Sequence, residues 1–424
     1  MRRIEARQLE FQFSRDMQIN LAADSRHKWH SFPAKYPPEL PAKYIDRYTE
    51  INNTILDPMS GSGTTLIEAQ RLHRFSLGAD VDPLSIINLK GKFSISKPGL
   101  LDEYYVRIRE KVENSISMSD DSIINSYNRR FSEKTRKFIE YWFPEESLKQ
   151  LVVLSDQILK IPDKSVRDFF LMVLSATIIT KHGNVCYAAD LAHTRPHKVI
   201  EKKIILPLDE FEKKYSKIIV DHERSYELNI VNRPVVYHED ARYLKILENS
   251  IDLIMTSPPY ANNAIDYIRS HKFALVWMNY DIEQIADIRK DMVGEISKKD
   301  DYIILPEKTK EVIEMVKQSN RNKGNRLEKY YQDIYLMIKK FHEVLKPNKH
   351  AIIVVATSIV DGIDVLTQEC IIELAEKVGM QTENIDVRDI DRNKRMMPVS
   401  NIVNKNSQIE SRMHTEYVLD FKKV

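Results

Sequence analysis

The sequence predicts an α/β fold with parallel strand pairing, interrupted by a large helical insertion. Three observations carry that prediction. Short apolar runs alternate with amphipathic helical patterns at both ends of the chain. The first two runs flank a glycine turn and a helix, a βαβ unit that implies parallel pairing. Between the early and late runs lies a long, charged, helix-patterned region with no glycine from Gly99 to Gly183.

Each element follows in order. "NTILDP" (Asn53 to Pro58) reads as the first strand, "TTLIEAQRLHR" as an amphipathic helix and "FSLGADVDP" (Phe75 to Pro83) as the second strand. Residues 1–95 therefore form the N-terminal part of an α/β domain, and 96–232 a helical insertion, as in "RRFSEKTRKFIEYWF" and "VRDFFLMVLSATIITKH". Residues 233–424 return to the α/β texture. "PVVYHED", "IDLIMTSPP" and "HAIIVVATS" are strand-like, and "LEKYYQDIYLMIKKFHEVLK" is a helix. "IIELAEKVGM" is another helix, with Gly379 as its C-cap. "ENIDVRDI" and "TEYVLDFKK" close the chain as a strand pair. A second insertion at about 261–325 ends in the basic stretch "VKQSNRNKGNRLEK".

Composition narrows the function classes. The 424 residues exceed one ordinary compact core, which suits one domain with large insertions. Charged residues make up 30% of the chain but the net charge is only +2, so local clusters must decide whether a polyanion binds. Cys186 and Cys370 lie far apart without CxxC spacing, which argues against a structural metal or a disulfide framework and for a reducing, cytoplasmic setting. The start, "MRRIEARQLEFQF", has no apolar signal core. No apolar run reaches the roughly 18 residues of a membrane span.

The stretch "ILDPMSGSGTTLIEA" places Gly61 and Gly63 between strand and helix, where backbone can approach a ligand and free N–H groups face it. A phosphate-binding P-loop needs a lysine after the last glycine, and Thr64 stands there. A dinucleotide turn needs a third glycine, and Leu66 stands there. A third reading is an adenosine that carries no phosphate but an amino-acid tail, and the alternative is a glycine turn with no ligand. Asp57 is placed to accept from the tail's amine and Asp80, at the next strand end, from the ribose hydroxyls. Asp82 competes with Asp80 for that role.

"TSPPY" ends a later strand. Proline donates no hydrogen bond and stiffens the turn. Ser257 offers a hydroxyl oxygen, Pro258 a carbonyl, and Tyr260 a flat face. Two acceptors gripping an exocyclic amine localise its lone pair, and they act best if they hold the transition state more tightly than the flat ground state. A stacked ring holds the heterocycle in line with a methyl sulfonium. Carbon methylation would instead need an activated cysteine, and neither cysteine sits in such a turn.

On these motifs the chain resembles the amino-methylating DNA methyltransferases, which use S-adenosyl-L-methionine to modify cytosine N4 or adenine N6. "DPMSGSGTT" (Asp57, Pro58, Met59, Gly61, Ser62, Gly63, Thr64, Thr65) is similar to their cofactor turn, with Met59 where the family often has phenylalanine. Thr256, Ser257, Pro258, Pro259 and Tyr260 resemble their catalytic turn in its SPPY form, which is more often associated with cytosine N4. "HSFPAKYPPELPAKYI" resembles the segment that cups the methionine end and brings in His30, Phe32, Pro33 and Ala34. "HEDARYL" resembles the strand end whose acid, Asp240, approaches the adenine amine, with Ala241 beside it; "DYIRSHK" also looks like a stretch seen in some members. The resemblance implies a Rossmann-like S-adenosylmethionine-dependent methyltransferase with a mostly parallel seven-stranded sheet. It also implies target recognition in the region between the cofactor and catalytic halves, and no metal. The expected partners are double-stranded DNA, with the target base flipped out, and a cognate restriction endonuclease.

Other readings stay open at this stage: adenine N6, an RNA or protein-amide substrate, or a DNA-recognition subunit that does not catalyse. The basic groups Arg129, Arg130, Lys134, Arg136; Lys317, Arg321, Lys323, Arg326; and Arg392, Lys394, Arg395 are either phosphate contacts or solvated faces. His193, Arg195 and His197 are candidate readers or clamps. Trp29 either stacks on the cofactor or packs in the core.

Overall fold

The computed structural model describes residues 7–8, 24–32, 35–116, 120–191, 196–227, 232–261, 266–290, 292–293, 303–389 and 415–424. Its main sheet has seven strands: β1 (Thr54–Asp57), β2 (Phe75–Ala79), β3 (Val235–Tyr237), β4 (Ile251–Thr256), β5 (Leu345–Ala356), β6 (Met380–Asp389) and β7 (Thr415–Lys423). The order is β3-β2-β1-β4-β5-β7-β6, with a two-residue strand, Arg7–Gln8, on the β6 edge. Strands β1 to β5 pair in parallel, and only β7 runs against its neighbours β5 and β6. This is the expected Rossmann-like, mostly parallel seven-stranded sheet. Its order reverses between β1 and β4, the switch point outside whose strand ends ligands bind in such sheets.

The alternation of side chains along each strand splits the core in two. Ile55, Leu253, Met255, Ile352, Val354 and Val418 face one way, onto Leu40, Tyr44 and Ile45 of α1 (Glu39–Tyr48) and Ala69 of α2 (Thr64–Arg71). Leu56, Ile254, Ile353, Val355 and Leu419 face the other way. The other cluster brings in helices C-terminal to β4: α12 (Glu307–Ser319), α13 (Arg321–Val344) and α14 (Thr367–Val378). Strand β5 begins at Leu345, five residues before the expected His350.

Helix α3 (Pro83–Lys92) joins the sheet to the insertion, which contains α4 (Pro98–Ile116), α5 (Asp120–Arg130), α6 (Glu133–Trp142), α7 (Glu145–Leu159), α8 (Lys164–Ile178) and α9 (Pro207–Glu227). At the α3–α8 crossing a Cβ on Gly91 would lie 2.4 Å from Met172 Cβ and 2.8 Å from the Asp168 carbonyl oxygen, so only glycine fits. "RRFSEKTRKFIEYWF" is two helices, because Ser132 ends one and caps the next by accepting from Thr135 N at 3.4 Å.

The second insertion does not stand apart from the first. Its helices α10 (Tyr267–Leu275) and α11 (Ile282–Lys290) share a single apolar core with α4 to α9, in which Phe273 and Trp277 meet Phe131, Phe138 and Phe143 edge-on or tilted. Arg130 reinforces this joint: it donates to Asp156, to Ser155, to Asn279 and to the Trp277 carbonyl. Among the described residues no helix is long and apolar enough to cross a membrane.

Candidate active site

Strands β1 and β4 are neighbours, so the glycine turn and the diproline turn leave the sheet side by side. Thr256 Oγ1, at the end of β4, donates to Asp57 Oδ1, at the end of β1, at 2.9 Å. After Asp57 the chain turns tightly. Ser60 Oγ donates to the Asp57 carbonyl at 2.7 Å, and Gly63 N to the Ser60 carbonyl at 2.7 Å. Gly63 has φ +81°, and a Cβ there would sit 2.3 Å from Leu89 Cδ2; both facts demand glycine. It caps α2, whose first seven residues are all buried.

Two carboxylates face this turn. Asp80 accepts from Gly61 N at 2.8 Å and Asp82 N at 2.9 Å, and burial, with the neighbouring Asp82 carboxylate, pushes it up to about 7. Asp57 accepts from Thr256, from Met59 N at 3.3 Å and from Tyr36 at 3.4 Å, and burial raises it to about 6. Asp82 is already committed. It caps α3 through Leu84 N at 2.9 Å and pairs with the buried His271 of α10.

One cavity of about 930 Å³, including its open mouth, joins these groups. Of the expected residues, Phe32, Asp57, Pro58, Met59, Gly61, Ser62, Thr64, Asp80, Asp240, Ala241, Ser257 and Pro259 line it. His30, Gly63, Thr65, Thr256, Pro258 and Tyr260 are not in its lining. Pro258 is buried, and the Tyr260 hydroxyl is directed to Glu416 at 3.4 Å, so the ring is held against β7. Pro33 and Ala34 lie outside the described residues.

A DNA methylase family model, N6_N4_Mtase, matches residues 13–86. The chain is 24% identical over 420 residues to the Type II methyltransferase M.MvaI of Kocuria varians, a match that covers 93% of this chain and 90% of that one. It is 25% identical over 303 residues to the Type II methyltransferase M.BsoBI of Geobacillus stearothermophilus, covering 63% and 55%. These matches support the amino-methylating DNA methyltransferase family. Among solved structures it is similar to a TehB-like methyltransferase from Corynebacterium glutamicum (TM-score 0.29, 11% identity, 91% of this chain and 87% of that one). It is also similar to the rRNA methyltransferase aviRa from Streptomyces viridochromogenes (TM-score 0.30, 8% identity, 93% and 87%).

S-adenosylmethionine is the cofactor of this methyltransferase, and the residues present fit it. Asp57 is a buried and Asp80 a half-buried carboxylate, both bonded to neutral donors, a setting that favours a cationic ligand rich in hydroxyls. His30 is 2% exposed, and both its ring nitrogens lack a partner among the described residues.

Several residues of the site had no signal in the sequence. Lys35 and Tyr36 sit within the quoted "HSFPAKYPPEL" but carry no separate cue, and both line the cavity. Lys92 is buried, donates to the Ser62 carbonyl at 2.7 Å and is pushed down to about 7 by burial and by the nearby Lys35 and Arg26. Tyr267 of α10 and Met292 and Val293 beyond α11 complete the wall. Tyr267 stacks on Phe32, with ring centroids 5.9 Å apart.

Other candidates resolve differently. Trp29 is 4% exposed and donates to Asp221 of α9 at 3.2 Å, which is the packing role. Arg130 is half-buried and ion-paired with Asp156, and Arg136 donates to the Asn128 and Phe131 carbonyls, so neither is a free phosphate contact. Lys134 pairs with Glu283, Lys317 with Glu328 and Lys323 with Asp361, while Arg129, Arg321 and Arg326 are exposed. His197 is exposed and lies 3.7 Å from Asp190. His193, Arg195, Arg392, Lys394 and Arg395 lie outside the described residues. Cys186 and Cys370 are buried, and burial pushes both thiols up to about 11. Neither is a poised nucleophile.

Proposed function

We propose that this chain is a site-specific methyltransferase of double-stranded DNA that methylates the exocyclic amine of a flipped-out base, with cytosine N4 the favoured target. The observation that carries the reading is the shared cavity: Ser257 and Pro259 of the diproline turn line the same wall as Gly61 and Asp80 of the cofactor turn. S-adenosylmethionine supplies the electrophilic methyl group. Asp80 would accept from the ribose hydroxyls, Asp57 from the methionine amine and Asp240 from the adenine amine. Lys35 would meet the methionine carboxylate. Ser257 Oγ and the Pro258 carbonyl would accept the two N–H bonds of the target amine, drawing its nitrogen toward tetrahedral geometry. The Tyr260 ring would stack on the base once the turn takes up substrate.

Residues 96–232 and the second insertion, whose helices α10 and α11 share one core with α4 to α9, are proposed together as the target-recognition region. Extrusion of the base has to be offset by contacts to the strand, and Arg129, Arg321 and Arg326 are exposed cations that would meet phosphates. The Type II names of the relatives support pairing with a cognate restriction endonuclease and a place beside the chromosome in the cytoplasm. The test is nucleoside mass spectrometry of duplex DNA, tRNA and protein after incubation with the chain and labelled S-adenosylmethionine. N4-methylcytosine in DNA is the expected product. N6-methyladenine would move the target, and label only in tRNA or protein, or none, would overturn the proposal.

A further inference from the structure

Asp240 lies in the cavity wall beside Ala241, and its carboxylate is gripped from one side. Arg242 Nε donates to Oδ1 at 3.0 Å and Oδ2 at 3.1 Å, and Nη2 donates to Oδ2 at 2.5 Å. The Arg242 backbone N–H donates to Oδ1 at 2.9 Å. A carboxylate offers about four lone-pair directions. Three hydrogens fill this set: the Nε hydrogen is shared between the two oxygens, one Nη2 hydrogen goes to Oδ2 and the backbone hydrogen to Oδ1. Three hydrogens against four directions leave the carboxylate able to accept one more.

The fork is itself anchored. Arg242 Nη1 donates to Asp333 Oδ1 at 2.6 Å, and Lys329, one turn earlier on α13, donates to the same oxygen at 2.5 Å. Asp333 is fully buried and the Arg242 side chain is 7% exposed. The chain Asp240–Arg242–Asp333–Lys329 thus runs from the cavity into the core helix behind the sheet. Asp333 lies between two bases, where an unpaired buried charge would be costly. A planar guanidinium fixes the rotation of the carboxylate it forks; an ammonium of the same charge does not.

We infer that Arg242 and Asp333 are positioning residues for cofactor recognition: they orient Asp240 so that its one remaining acceptor direction meets the adenine amine. This rests on the proposed role of Asp240 as the acceptor for that amine. It makes selectivity for adenine a property of α13, which does not itself reach the cofactor.

The test compares S-adenosylhomocysteine with S-inosylhomocysteine, which carries a carbonyl in place of the amine, by calorimetry on the full chain. The native chain should prefer the adenosyl ligand by roughly tenfold or more. Arg242→Lys keeps the buried charges balanced, so it should fold, and should narrow the preference to roughly threefold or less. Asp333→Asn should do the same, and if it fails to fold Arg242→Lys decides alone. Equal weakening of both ligands, with the preference intact, would show a merely structural network and overturn the inference. Asp240→Ala separates the two levels. If it leaves the preference untouched, the underlying role of Asp240 is wrong. If it abolishes the preference while Arg242→Lys does not, only the positioning claim is wrong.

Discussion

The two turns of the site end adjacent parallel strands yet present opposite chemistry. The turn after β1 has glycines, and its backbone offers an N–H to the site: Gly61 N donates to Asp80. The turn after β4 has two prolines, which remove two donors and leave carbonyl and hydroxyl acceptors. A donor-rich turn suits a ligand that brings a carboxylate or recruits an acid to its hydroxyls. An acceptor-rich turn suits an amine. The sheet sets the two within reach, and the choice of glycine or proline at each strand end divides the labour between cofactor and target.

The contrast breaks most sharply at Ser257. Ser257→Ala should lower methyl transfer roughly 10²-fold or more while calorimetric affinity for S-adenosylmethionine stays near native, because it removes an acceptor used by the reacting amine. Asp80→Ala should do the reverse. Affinity should fall roughly 10²-fold as charge-assisted bonds are lost, and turnover at saturating cofactor should persist. Gly63→Ala should cost about 2 kcal/mol in urea unfolding, from left-handed strain and overlap with Leu89.

The carboxylates also give the donor-rich turn a pH dependence. Burial raises Asp57 to about 6 and Asp80 to about 7. Both folded values exceed the unfolded ones, so the folded chain holds protons more tightly, and free-protein stability falls as pH rises from about 4 to about 7. A cationic ligand favours the carboxylate forms. Cofactor affinity should therefore climb roughly tenfold between about pH 5 and 7 and then level off. Asp80→Asn should flatten the upper part of that climb. The smallest effect belongs to Tyr260→Phe, which keeps the ring and loses hydroxyl bonds such as the 3.4 Å one to Glu416; turnover should change about twofold or less.

The two turns were legible in the sequence because turn chemistry is local. Asp57, Gly61, Gly63 and Ser257 are each specified by neighbours within a few residues. The groups that steady them were not. Arg242 meets Asp333 across 91 positions, and His271 meets Asp82 across 189, and neither pairing leaves a pattern in a single chain. Helical periodicity showed that both insertions had apolar faces but not that those faces meet, which is why one core was read as two regions. The run Arg129–Arg136 looked like a phosphate-binding loop. A list of charges cannot distinguish an exposed cation such as Arg129 from Arg130, which ties two helical segments together.

The most direct test is a crystal structure with sinefungin, whose amine replaces the transferable methyl group. The account predicts the ribose on Asp80 and that amine within about 6 Å of Ser257 Oγ, the span of one hydrogen bond and one in-line approach. A cofactor seated on the glycine turn with its reactive end directed away from Ser257 would contradict it.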